Sequence, residues 1–146
     1  MTKRININQS EPAAYKAMLG LEQYIAGTEL EAAHKELIKI RASQLNGCAF
    51  CLNMHTKDAR KLGMSEEKIY LLNAWKETSF YTPAEKALLA LTEEVTLIAA
   101  GGLSDATYAE AVARFGEQYT GQAIMAIVAI NGWNRIAIST RLEPAL

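Results

Sequence analysis

Ala123, Ile124, Met125, Ala126, Ile127, Val128, Ala129 and Ile130 follow one another without a polar break. A helix that is apolar around its whole circumference can rest only where every side is covered. The run is far shorter than the ~20 residues that span a bilayer. It therefore predicts a helix at the centre of a bundle, or one buried between subunits. The rest of the chain agrees, because strand signals are nearly absent. Leu30, Ala33, Leu37 and Ile40 recur at three- and four-residue intervals, the spacing of a helix with one buried face.

Start and stop signals divide the chain. Glu11-Pro12 opens a first helix, which should stop near Gly27, and Thr28 can cap a second. That helix should end at Asn46-Gly47, a pair suited to left-handed backbone. A third helix is expected from about Cys48 to Gly63, and Ser65 reads as the cap of a short one reaching Leu72. Thr82-Pro83-Ala84-Glu85 combines a cap, a first-turn proline and a capping-box glutamate. Its helix should run to about Ala99 and break at Gly101-Gly102. Ser104 then caps a helix to Gly116, and Thr120 or Gly121 begins the last, to about Ser139. About seven helices with short connections make an all-α bundle. No linker or repeat divides residues 1–146, which read as one domain.

Within the last helix, Asn131, Asn134 and Arg135 turn polar in apolar surroundings and should tie helix ends together. The apolar run, with Leu88, Leu89, Leu91, Leu97 and Ile98, offers surface that a homo-oligomer would bury.

Composition excludes several functions. Half of the 146 residues are hydrophobic and 21% are charged, so disorder is not expected. A net charge of −1 leaves no electrostatic footprint for nucleic acid. Lys35, Lys39 and Arg41 are interleaved with Glu31 and Glu36 and read as a solvated face. Residues 1–10 lack the apolar core of an export signal, and no membrane span is expected. The expected location is the reducing cytoplasm, where paired cysteines are more often catalytic or metal-binding than structural.

The two cysteines are Cys48 and Cys51, in Cys48-Ala49-Phe50-Cys51; His55 follows four residues on and Glu36 lies twelve residues before Cys48. On a helix, positions 48, 51 and 55 share a face. Two thiols and an imidazole there can run two-electron redox chemistry, in which one sulfur attacks and the other closes a disulfide. The plainer readings are a structural thiol pair and a metal clip, the latter needing a fourth ligand such as Glu36. Cys48, in the first turn, gains from the helix dipole; Cys51 gains from His55. These effects do not decide which sulfur attacks. Glu36, if folded back and partly buried, can serve as a base; otherwise it is a surface glutamate paired with Lys35 or Lys39. His34 points about 160° away from Glu36 and reads as a surface residue.

The stretch from Glu36 to His55 resembles the active-site signature of the alkylhydroperoxidase AhpD-like family, within the carboxymuconolactone decarboxylase superfamily. Arg41-Ala42-Ser43-Gln44, Asn46-Gly47-Cys48 and Met54-His55-Thr56 match as well, and residues 131–138 look like the closing helix of small single-domain members. The resemblance implies an all-α oligomer built on trimers, either a homotrimer or a homohexamer. It implies reduction of small hydroperoxides with Cys51 attacking, Cys48 resolving, and Glu36 with His55 relaying protons. It implies a dithiol electron donor, a lipoylated or thioredoxin-like protein, and no bound cofactor or metal. One departure stands out. The best-studied members carry a histidine just before the second cysteine, where this chain has Phe50, which removes a relay group and makes the approach more apolar. The decarboxylase branch lacks the cysteine pair, so lactone decarboxylation is not expected. The alternatives keep the same residues for disulfide reduction, redox sensing or metal binding.

Overall fold

The structure, a computed structural model, describes residues 2–146. It is all-helical, with no strand among the described residues. The α-helices are α1 (Ile7–Ser10), α2 (Pro12–Ala26), α3 (Ala32–Asn46), α4 (Ala49–Lys61), α5 (Glu66–Tyr70), α6 (Pro83–Thr96) and α7 (Asp105–Thr140). Short 3-10 turns at Leu72–Glu77 and Ile98–Ala100 complete the chain.

Local chemistry explains most boundaries. Thr82 Oγ1 accepts from the Glu85 amide while the Glu85 carboxylate accepts from the Thr82 amide, so the capping box is complete. Such a cap is worth about 0.5–2 kcal/mol against alanine. Ser65 and Ser104 cap α5 and α7 in the same manner. Gly116, at φ +80, interrupts the helical backbone of α7, so the expected break falls there although the helix resumes at once. Thr28 departs from expectation. Its hydroxyl donates to the Ile25 carbonyl at 2.7 Å, closing α2 rather than opening α3. The approach to α3 is instead fastened by α7, with Gln122 Oε1 accepting from the Glu29 amide and Tyr119 Oη from the Glu31 amide.

The helix enclosed by the others is α3, which packs against α4, α6 and α7. Its Ile38 and Ala42 join a cluster with Leu88, Leu91, Ala126, Ile127 and Ile130. Leu37 and Ile40 join a second, with Ala59, Leu72, Trp75 and Leu89. Truncating a fully buried Leu such as Leu37 would cost about 2–5 kcal/mol. The run Ala123–Ile130 is not enclosed in the same way, since Met125 and Val128 are exposed. Leu88, Leu89 and Leu91 lie inside the subunit and offer nothing to a partner, whereas Leu97 and Ile98 are exposed.

Being central, α3 buries polar groups that surface reasoning assigns to solvent. His34 is buried, its Nδ1 2.6 Å from Tyr119 Oη and its ring edge-on to Phe115. The Arg41 guanidinium meets Glu93 of α6 at 2.9 Å, and Lys39 meets Glu22 of α2 at 3.4 Å. Glu93 also accepts from Trp75 Nε1 at 2.7 Å and from Lys76 at 2.6 Å. Burial alone would raise its pKa, but Lys76, Trp75 and Arg41 outweigh that and hold the carboxyl below its ordinary value.

Candidate active site

The reversal between α3 and α4 builds the site. Gly47 adopts φ +71, ψ +36, a left-handed conformation that strains any residue with a Cβ. The Cys48 amide then bonds back to the Ser43 carbonyl at 3.0 Å, and α4 returns alongside α3. The hairpin carries Glu36 across to His55, and the carboxylate lies 3.0 Å from Nδ1. Both side chains are buried, so Glu36 is not a surface glutamate paired with Lys35 or Lys39. A carboxylate can only accept. Nδ1 therefore carries the hydrogen, and in the neutral ring Nε2 keeps the lone pair.

Cys48 is the N-cap of α4, one residue ahead of the first turn where it was expected. Its Sγ accepts from the Cys51 amide at 3.4 Å, the role usually given to serine or aspartate. Both thiols are free and nearly inaccessible, at 1% and 2% exposure. Burial pushes the Cys51 thiol up to about 12, helped by its neighbour Cys48; hydrogen bonds from Asn134 and Ser43 act in the opposite direction.

Those two residues belong to a buried amide network. Asn46 Nδ2 donates to Asn131 Oδ1 and to Asn134 Oδ1, both at 2.9 Å, and Asn134 Nδ2 donates to Ser43 Oγ at 3.0 Å. Asn131 Nδ2 continues to Thr96 Oγ1 at 3.0 Å. Asn131 and Asn134 thus tie helices together as their polarity predicts, while Arg135, among the described residues, bonds within its own helix, to Asn131. That Asn134 also acts on the Cys51 thiol was not legible in the sequence.

Cys51 and His55 line a cavity of about 370 Å³ with Tyr15, Leu19, Phe50, Met54 and Trp133 among its mostly apolar walls. Glu22 is its one further charged group, held by Trp133 Nε1 at 3.0 Å and by Lys39. Cys48 does not line this cavity. Among the described residues, the donor atoms that gather within 4.8 Å of one another are those of Glu36, His55 and Asp58.

The chain as a whole has close counterparts among known proteins. The carboxymuconolactone decarboxylase family profile matches residues 12–94, and the chain belongs to that family, as an AhpD-like member. An uncharacterized protein of Bacillus subtilis (strain 168), YdfG, is 42% identical over 139 residues, 95% of each chain. A crystal structure from Agrobacterium tumefaciens, of a protein of unknown function assigned provisionally to antioxidant defence as AhpD, superposes with a TM-score of 0.96. It is 41% identical over 99% of both chains. The debrominase Bmp8 shares the fold at a TM-score of 0.78 and 24% identity, over 94% of this chain and 74% of its own. Among the described residues, no helix is long and apolar enough to cross a membrane.

Proposed function

We propose that the chain is a thiol-dependent peroxidase that reduces small organic hydroperoxides in a reducing compartment such as the cytoplasm. The observation that carries this reading is the placement of Cys51 beside His55 on the wall of an apolar cavity, with the imidazole oriented by Glu36 at 3.0 Å.

A thiol near 12 leaves only ~10⁻⁵ as thiolate at pH 7, so Cys51 requires a base in its own cavity. His55 Nε2 takes the Cys51 proton, and the Glu36 carboxylate stabilises the imidazolium that forms. The thiolate attacks the distal peroxide oxygen and the O–O bond breaks. The departing alkoxide takes the proton from His55 and leaves as alcohol, with Cys51 oxidised to the sulfenic acid. Cys48 then attacks the Cys51 sulfur, hydroxide leaves as water with the proton Cys48 gives up, and the disulfide closes. The balance is one hydroperoxide and two thiols giving one alcohol, one water and one disulfide. A dithiol donor, lipoylated or thioredoxin-like, restores both thiols and becomes a disulfide itself.

The influence of Asn134 and Ser43 on the Cys51 thiol runs toward the thiolate, which favours it once the base has acted. The exposed Met125, Val128, Leu97 and Ile98 support assembly into a homotrimer or homohexamer.

The test is direct. Pre-reduced protein mixed with one equivalent of tert-butyl hydroperoxide should lose two hydrogens by intact mass, regain them with dithiothreitol, and consume peroxide catalytically with a dithiol. Protein whose thiols survive excess hydroperoxide would refute the reading.

A further inference from the structure

The two cysteines, three residues apart, open onto different spaces. Cys51 lines the cavity of about 370 Å³ and is absent from the neighbouring one. Cys48 lines that second groove, of about 210 Å³, with Gly47, Ile138, Arg141, Glu143 and Pro144. Phe50, Ala137 and Leu142 line both and form the partition between them. The partition is anchored on two sides. Ala137 is on α7, and the chain beyond it is strapped to α4 where Asn53 Nδ2 and Lys57 Nζ donate to the Ala145 carbonyl at 3.0 and 3.2 Å.

We propose that the peroxidase has two doors: hydroperoxide reaches Cys51 through the larger cavity, and the reducing dithiol reaches the disulfide at Cys48 through the smaller groove. The inference rests on the peroxidase reading above and adds to it the place where the donor engages. The argument comes from the geometry of thiol–disulfide exchange. A thiolate attacks a disulfide sulfur in line with the S–S bond, from the side opposite the sulfur that leaves. An attack on Cys48 must therefore come from the side away from Cys51, and the smaller groove is the space that Cys48 lines and Cys51 does not. The reverse attack, on Cys51 from the larger cavity, would expel Cys48 and leave the donor in the space the peroxide requires.

The electrons balance. The first donor thiol gives its proton to water and, as thiolate, bonds to Cys48 Sγ; the S–S bond breaks, and Cys51 leaves as thiolate and regains a proton from water through His55, which ends neutral as it began. The donor's second thiol, as thiolate, then attacks its own sulfur in the mixed disulfide. Cys48 is released and takes up the proton that this thiol gave up, while the donor departs as its cyclic disulfide. The groove bears one basic and one acidic side chain, Arg141 and Glu143, so it does not select by net charge. Its size suits a slender, unbranched dithiol arm.

The experiment separates the two half-reactions. Oxidation of pre-reduced protein by tert-butyl hydroperoxide is timed in a single turnover. Reduction is timed with dihydrolipoamide on protein whose disulfide was made with diamide, so it does not depend on peroxide chemistry. Ile138 lines only the smaller groove and Met54 only the larger cavity, and both are exposed enough to enlarge. Ile138→Trp should lower the ratio of reduction to oxidation rate by about tenfold or more, and Met54→Trp should raise it comparably. Ile138→Ala, which cannot clash, should shift the ratio opposite to Ile138→Trp and keeps the test valid if the tryptophan variant misfolds. Reduction slowed by Met54→Trp but indifferent to both Ile138 variants would overturn the two-door proposal. Failure of peroxide oxidation in the wild type would instead sink the peroxidase reading; the proposal, which needs a peroxide door, falls with it, and the diamide arm alone still shows where a dithiol enters.

Discussion

Replacing Glu36 with glutamine removes one charge and changes almost nothing in shape, so its effect can be worked from the structure. The carboxylate lies 3.0 Å from His55 Nδ1, with the two side chains 11% and 9% exposed. At that distance and an effective dielectric of about 20, attraction to an imidazolium is about 5 kcal/mol. The glutamine oxygen keeps a hydrogen bond worth about 1 kcal/mol, and water in the cavity recovers part of the remainder. About 3–4 kcal/mol of imidazolium stabilisation is then lost, or roughly 10²–10³ in the rate of thiol oxidation. The assay is single-turnover oxidation of pre-reduced protein by tert-butyl hydroperoxide, quenched at intervals and read as remaining free thiol. Circular dichroism melting verifies the fold. His55→Ala should cost at least as much. The double variant should cost no more than His55→Ala alone, because a carboxylate acting through an imidazole has nothing left to act on. A Glu36→Gln rate within about threefold of wild type, with the fold intact, would refute the relay.

Three further outcomes are expected. Glu93→Gln leaves Arg41 and Lys76 without their counter-charge and should destabilise by about 3 kcal/mol, or roughly 6–12 °C in melting temperature. The Glu93 carboxyl is held below its ordinary value when folded, so its contribution is complete at neutral pH and lost as pH falls through the folded value; the variant's urea-melt deficit should shrink in acid. Cys51 behaves oppositely. Its folded value of about 12 lies above the unfolded one near 9, so its contribution is full below pH 9 and lost as pH climbs toward 12. Cys51→Ser should flatten that part of the alkaline stability curve, and an unchanged slope would contradict the burial argument. Val128→Glu places a charge on the exposed apolar stripe of α7 and should lower the mass seen by light scattering during gel filtration, whereas a wild type already at 16.0 kDa would show that the stripe needs no partner.

The parts of this structure that the sequence makes legible are those decided within a few residues. The capping box at Thr82, the reversal at Gly47 and the break at Gly116 all depend on local backbone chemistry, whereas α6, expected to reach about Ala99, ends at Thr96 and passes into a 3-10 turn before Gly101. The parts it conceals are decided by partners far away along the chain. Arg41 meets Glu93 from 52 residues away and His34 meets Tyr119 from 85, so both look like surface residues on a helix considered alone. Periodicity says which face of a helix turns inward, not how many neighbours enclose it. That is why the most apolar segment, in α7, keeps an exposed stripe while the more polar α3 lies in the middle. The four-residue α1 carries no apolar period and was not expected. At the site, the spacing of Glu36, Cys48, Cys51 and His55 places them together because one hairpin carries all four. Asn134 reaches Ser43 from a different helix and acts on the Cys51 thiol, and nothing in the spacing announces it.

The burial of Cys51 and the presence of the relay are, on the proposed reading, two sides of one arrangement. A thiol near 12 is almost wholly protonated in the resting chain, and a protonated thiol is a poor nucleophile toward peroxide and resists stray oxidation. On that reading the apolar walls, Phe50 among them, draw in a substrate with an organic tail, which displaces the water that screens the Glu36–His55 pair. Substrate entry thus strengthens the base at the moment the thiolate is required. Where relatives are expected to carry a histidine, Phe50 removes a second base and leaves the deprotonation to His55. On that reading Cys51 reactivity depends on one oriented imidazole, and the carboxylate 3.0 Å from it, buried on the enclosed helix α3, is the residue on which the rate should turn.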